Sequence, residues 1–324
     1  MGQTCALAWL RRVAAGCVAV ACLMTSACDS RPPRVGGWDG MYPIKITVTT
    51  AMIGDLVKGV GRDRVFIEVL MGPGTDPHLY KASPDDVRKL GEAVGIAYNG
   101  LHLEGKMGEV LESMAKKKPT LAVAEALPQG RLIQVGEVGG KPTYDPHVWF
   151  DVKLFSEALG PIAAWLSEID PDSADFFQAN AEEYAFGLSQ LDDYVRSAMS
   201  EIPKERRVLI TAHDAFAYWG RAYGLEVRGI QGISTESEAG LKEINDLVDL
   251  IVERKIPSVF VETSVSEKNV QSLVQGSRAR GWNVGVGDPL FSDAMGTKAQ
   301  GAHTYMAMIN YNTNSIRQSL LADR

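Results

Sequence analysis

Five histidines occur in the 324-residue chain, and two of them close the same tripeptide: Asp76-Pro77-His78 and Asp145-Pro146-His147. His213 follows the apolar run 208–211, and Asp293 follows the last β-rich run, within the segment LFSD. Imidazole nitrogens with one carboxylate suit a borderline divalent ion such as zinc, and also manganese or iron. A Pro directly before each of His78 and His147 restricts the preceding Asp to extended backbone and stiffens the approach. Asp76 and Asp145 are then placed to accept the second ring N–H of a ligand histidine, and Glu262, ending an apolar strand, is a third candidate acceptor. Each reading has an ordinary counterpart. Most histidines are surface or core residues with one satisfied hydrogen bond, an Asp-Pro pair is commonly a turn former, and Glu262 is equally a plain strand-end carboxylate. His102 and His303 lack strand-end placement and read as polar caps near helix ends.

The elements around these residues must carry them to one place. From residue 42, short apolar runs alternate with amphipathic segments: strands over 44–50, 65–71, 94–98 and 120–124, helices over 52–59, 84–93 and 105–116. Ser83 stands as an N-cap before Pro84, with Asp86 in the first turn. Strands alternating with helices predict a parallel sheet flanked by helices. The stretch 174–199 is different. It has no Pro and one Gly, and Phe177, Ala181, Tyr184, Leu188, Leu191, Val195 and Ala198 recur in steps of three and four. That period lays one apolar stripe along a helix of about seven turns. Alternation then restarts, with strands over 208–211, 226–230, 258–262 and 283–286, helices over 215–223, 241–254 and 265–280, and a closing helix over 304–321. The expected fold class is α/β, with an N-terminal αβ lobe over 42–173, a single long rigid connecting helix over 174–200 and a C-terminal αβ lobe over 201–324. The four residues fall just past predicted strand ends, two in each lobe, where open αβ sheets bind ligands. A cleft between the lobes would bring all four together.

The first 28 residues set the compartment. Arg11 and Arg12 precede an uncharged stretch over 13–27, and a polar, Pro-marked segment begins at Ser30. That order predicts an export signal over 1–27, too short to span a bilayer comfortably, and a periplasmic or cell-surface protein. All four cysteines (Cys5, Cys17, Cys22 and Cys28) lie here, so the rest of the chain carries no disulfide. Thr25-Ser26-Ala27-Cys28 resembles the small-residue lipobox of bacterial lipoproteins, which makes Cys28 the candidate lipid anchor and 28–41 a tether to the membrane. Thr25 stands where that pattern usually has Leu, so plain cleavage after Ala27 is the alternative. Residues 1–27 hold two basic and no acidic side chains, and their removal takes the formal net charge from −7 to −9. The nearest thing to a basic stripe is Lys116-Lys117-Lys118, so nucleic acid is not an expected partner.

Four segments carry a resemblance that spacing does not supply: 71–80 (MGPGTDPHLY), 145–151 (DPHVWFD), 211–216 (TAHDAF) and 290–296 (LFSDAMG). Their order and content resemble the metal-binding cluster of the solute-binding proteins of ABC importers, over roughly residues 42 to 324. The resemblance implies two αβ lobes bridged by one long helix, a monomer, and one metal buried between the lobes as transported ligand. It implies delivery to a permease with a cytoplasmic ATPase. The family's four metal ligands fall on His78, His147, His213 and Asp293. A Glu at the third position resembles manganese-preferring members, whereas His213 is similar to zinc-binding ones. Many zinc-specific members also carry a long His- and acid-rich loop before the second ligand. Here the stretch 128–144 is short, has Glu137 as its only acidic residue and contains no His. Zinc and manganese therefore both stand as expected cargo, and iron is compatible.

The rival class is a metal-dependent hydrolase, because His and carboxylate ligands also build catalytic zinc sites. Catalysis needs an open coordination position and a nearby general base. Four protein ligands closing the shell argue against it, and the chain has no HExxH motif. A surface adhesin is a third class, for which no sequence feature speaks.

Overall fold

A computed structural model describes residues 37–322. The expected export signal and Cys28 lie outside the described residues. Of the expected tether, 37–41 is described, and Trp38 is buried there, its Nε1 donating to Met41 O at 2.8 Å.

The first half is built on four strands: β1 (Ile44–Thr50), β2 (Val65–Met71), β3 (Gly95–Tyr98) and β4 (Thr120–Ala122). They run parallel in the order β2-β1-β3-β4. In β1, Ile44, Ile46 and Val48 share burial with Thr47, Thr49 and Thr50, as expected of a central parallel strand covered on both faces. Helices α1 (Ala51–Gly61), α2 (Pro84–Glu92) and α3 (Gly108–Ala115) make the crossovers. Helix α2 starts where the sequence predicts. Ser83 Oγ accepts from Asp86 N, and Asp86 Oδ2 accepts from Ser83 N at 2.8 Å, a reciprocal capping box.

Between the crossovers and the long helix lie elements that the alternation did not reveal. An antiparallel hairpin pairs β5 (Gln134–Val138) with β6 (Lys141–Tyr144). Its turn is Gly139-Gly140, with φ of +59° and +75°, the left-handed pair that a tight two-residue hairpin requires. Two helices follow, α4 (Val152–Ser156) and α5 (Leu159–Ile169).

Helix α6 (Ala174–Ser200) is the predicted long helix, 27 residues or about 40 Å at 1.5 Å per residue. It is not a free-standing rod. Asn180 Nδ2 donates to Val60 O (2.9 Å) and Tyr184 OH to Asp55 Oδ2 (2.5 Å) on α1. Further along, Tyr194 OH donates to Asn314 Oδ1 (2.8 Å), and the buried Asp192 accepts from Tyr223 OH (2.9 Å). The helix thus binds both halves. One continuous apolar core runs from Ile44 through Phe177 and Leu188 to Phe291 and Met308.

The second half repeats the first half's plan. Strands β7 (Val208–His213) and β8 (Glu226–Gln231) pair in parallel, as do β9 (Ser258–Val259) and β10 (Gly285–Val286). Phe260 N donates to Ile210 O (2.9 Å) beside β7, which lays the strands out as β8-β7-β9-β10. Helices α7 (Ala217–Tyr223), α8 (Leu241–Glu253) and α9 (Lys268–Ala279) connect them, and α10 (Tyr305–Leu321) closes the chain under an N-cap from Thr304. No helix among the described residues is long and apolar enough to cross a membrane.

Candidate metal centre

The two Asp-Pro-His tripeptides fold alike. Asp76 Oδ1 accepts the His78 backbone N–H at 2.9 Å, and Asp145 Oδ1 accepts that of His147 at 2.9 Å. Each is a side-chain turn in which the carboxylate bonds the backbone two residues on, with Pro fixing the residue between. His78 comes off the loop after β2, and His147 off the short turn after the hairpin. His213 is itself the last residue of β7, which runs two residues beyond the expected strand 208–211. Asp293 lies on the loop after β10.

The four side chains are at most 4% exposed and converge at the junction of the halves. One donor atom from each lies within 4.8 Å of the others. His147 Nε2 is 3.3 Å from His78 Nε2 and 3.4 Å from His213 Nε2. Asp293 approaches with both oxygens: Oδ2 is 3.2 Å from His213 Nε2 and 3.7 Å from His78 Nε2, and Oδ1 is 3.5 Å from His147 Nε2. Four donors set about 2.0–2.1 Å from a zinc ion in a tetrahedron stand about 3.3–3.4 Å apart, which is the range of these edges. Apart from the ligand-facing ring nitrogens, the nearest being His213 Nε2 at 3.2 Å from Oδ2, neither oxygen of the buried Asp293 carboxylate has a hydrogen-bond partner. A buried carboxylate held only by imidazoles is costly, and a cation between it and the rings would offset that cost.

The outer contacts separate the three candidate acceptors. Asp145 Oδ1 also lies 2.7 Å from His147 Nδ1, which fixes the ring and turns Nε2 toward the centre. Glu262 does the same for His213: Oε1 accepts the backbone N–H at 2.9 Å and Oε2 lies 2.6 Å from Nδ1. Asp76 differs. Its second oxygen accepts from Thr235 Oγ1 at 2.6 Å, a bond to the other half, so it holds the His78 loop and not the ring. The sequence carries no signal for Thr235, because a contact 159 residues away leaves no local pattern. His102 and His303 are exposed and stand outside the cluster.

Burial pushes His78 down to about 4, Asp293 only partly opposing, so its ring is neutral at neutral pH. For His213 burial also acts downward, but the Glu262 and Asp293 carboxylates overcome it and raise the ring well above its ordinary 6.5. Burial alone would raise Asp293; the His213 charge beside it instead holds the carboxyl far below the usual range. A proton on His213 therefore balances the metal-free site. A divalent cation would displace it.

Four buried donors facing one point suit a protein that holds an ion. Comparison with known proteins agrees. The model of the family described as zinc-uptake complex component A, periplasmic, matches residues 46–319. The chain is 47% identical over 277 residues to the manganese-binding lipoprotein MntA of Bacillus subtilis, covering 86% of this chain and 90% of that one. It is 41% identical over 311 residues to the zinc-binding protein TroA of Treponema pallidum, covering 96% and 99%. The solved structure of that periplasmic zinc-binding protein superposes with a TM-score of 0.82 at 43% identity, covering 86% of this chain and 99% of that one. The chain belongs to the zinc-uptake component A family of metal-binding solute-binding proteins.

Proposed function

We propose that this protein captures one divalent transition metal outside the cytoplasm, through His78, His147, His213 and Asp293, and delivers it to the permease and ATPase of an ABC importer. The observation that carries this reading is the buried Asp293 carboxylate, whose oxygens face only three ring nitrogens, contributed by both halves. The protein is a carrier and not a hydrolase: the four donors fill a tetrahedral shell and leave no position for a reacting water. The cargo is zinc, manganese or both. Relatives named for manganese and for zinc are comparably similar, and iron fits the same donors. Asp145 and Glu262 orient the ligand rings, while Asp76 positions the His78 loop. The protein acts as a monomer, anchored through a lipid on Cys28. Cys28→Ser should move it from the membrane fraction to the soluble fraction, and unchanged partitioning would remove the anchor from this account.

Two further results are expected. Metal competes with the proton on His213, so affinity should rise with pH from mildly acid to alkaline conditions, by up to about tenfold per unit for each proton displaced. The sign follows from the raised pKa of metal-free His213; His78, pushed down to about 4, adds a further loss only near that pH. Calorimetry in buffers of different ionisation enthalpy reads the released proton directly, and zero release at pH 7 would contradict the scheme. Glu262→Gln retains an acceptor for the backbone N–H but loses the charge beside His213 Nδ1. It should weaken binding about 10–100-fold, the usual effect of losing an outer-shell partner. Wild-type affinity in that variant would return Glu262 to an ordinary strand-end role.

A further inference from the structure

No group other than the facing imidazoles bonds the Asp293 carboxylate, so its placement depends on the backbone that carries it. That backbone is held by side chains distant in sequence. Asn312, fully buried on α10, donates from Nδ2 to Phe291 O at 2.7 Å and accepts from Phe291 N at Oδ1, 3.0 Å. One amide thus clasps both polar groups of the residue two before Asp293, as a neighbouring strand would, and this pairing leaves only one orientation for the amide. Trp149, fully buried in the first half, donates from Nε1 to Ser292 O at 3.0 Å. Its indole also stands edge-on to the His147 ring, centroids 5.3 Å apart, and its own carbonyl accepts from Tyr305 OH at 2.7 Å. Residues 291 and 292 are therefore fixed from two sides, by α10 and by the segment that carries His147.

We propose that Asn312 and Trp149 are positioning residues for metal binding, which act through the backbone of Phe291 and Ser292 to set the direction of the Asp293 carboxylate. Neither touches the ion. Trp149 in addition ties the ligand from the second half to the ligand-bearing turn of the first, so that the two halves' donors keep a common frame. The inference rests on the metal-site reading above.

The test uses cobalt(II), whose visible absorption reports coordination geometry, and zinc competition, on the wild type and three variants. Asn312→Ala removes both bonds to Phe291; Trp149→Phe keeps an aromatic ring in the core and loses the bond to Ser292. Both should change the cobalt spectrum and weaken zinc binding about 10–100-fold, as outer-shell losses do. Thr313→Val is the control: it removes a fully buried hydrogen bond within α10, from Oγ1 to Ile309 O at 2.6 Å, next to Asn312 but away from the loop. It should leave the spectrum as in the wild type. If Asn312→Ala fails to fold, Trp149→Phe decides alone. A wild-type spectrum and zinc affinity in Trp149→Phe would overturn the proposal, as would a spectral change in Thr313→Val equal to that in Asn312→Ala. Failure of the wild type itself to bind cobalt or zinc would instead remove the metal-site reading.

Discussion

Asp293→Asn is expected to weaken zinc binding by at least about a thousandfold, a loss of roughly 4 kcal/mol. Asp293 is the only anion among the four inward donors, and both of its oxygens face ring nitrogens 3.2 to 3.7 Å away. The asparagine keeps the shape and removes the charge. It also relieves the metal-free protein of a buried carboxylate faced only by imidazoles, while leaving Glu262 beside His213 Nδ1. The metal-free variant should therefore melt within a few degrees of the metal-free wild type. Isothermal titration and a melting curve on the same sample check both halves of this expectation. Near wild-type zinc affinity in Asp293→Asn would take Asp293 out of the ligand set.

Stripping the metal should lower the melting temperature substantially. A ligand held only by the folded state stabilises it by mass action, about 4.1 kcal/mol at a free concentration a thousand times Kd. For a body of this size that corresponds to roughly 8 °C. The donors come from both halves, so the ion adds a cross-link between elements that otherwise meet through the core and bonds such as Trp149 to Ser292. The wild type should show this loss on chelation, and Asp293→Asn, already deprived of tight binding, should show almost none. Equal losses in the two would point to a chelator effect elsewhere in the molecule.

Much of this site was legible in the sequence for a local reason. Strand ends, Asp-Pro-His turns and N-caps are set by residues within a few positions of one another, so the candidate ligands and the box at Ser83–Asp86 stand out in the chain. The family resemblance is what joins the four candidates into one set. The hairpin β5–β6 was not. Its strand residues are mostly exposed, which removes the alternation that marks a half-buried strand, and only Gly139-Gly140 announced the turn. Helix α5 shows its buried face at Leu159, Ile162, Ala163 and Leu166, but Pro161 in its first turn hid the period. The outer contacts divide in the same way. Asp145 reaches the ring of its own tripeptide, a contact within two residues. The carboxylate of Asp76 reaches across to Thr235, and Asn312 and Trp149 act on residues 21 and 143 positions away. Such partners are chosen by how the two halves pack, which no local pattern records.

The fold places the ligands with some economy of means. The long helix bonds to helices of both halves, and each half supplies two of the four donors. His78 and His147 come from loops of the first, His213 from the end of β7 and Asp293 from the loop after β10 in the second. His213 is the donor whose identity bears on the cargo. In the metal-free state the Glu262 and Asp293 carboxylates beside it favour its charged form, so a bound ion would compete with a proton there.

The most direct test of the account is metal stoichiometry. Residues 29–324, purified, stripped with a chelator, reconstituted separately with zinc and with manganese and freed of excess ion, should carry one equivalent of metal per chain by elemental analysis with at least one of the two. The same treatment of His213→Ala and Asp293→Asn should leave far less than one equivalent. No bound metal in the reconstituted wild type, or a full equivalent retained by both variants, would contradict a single ion held by His78, His147, His213 and Asp293.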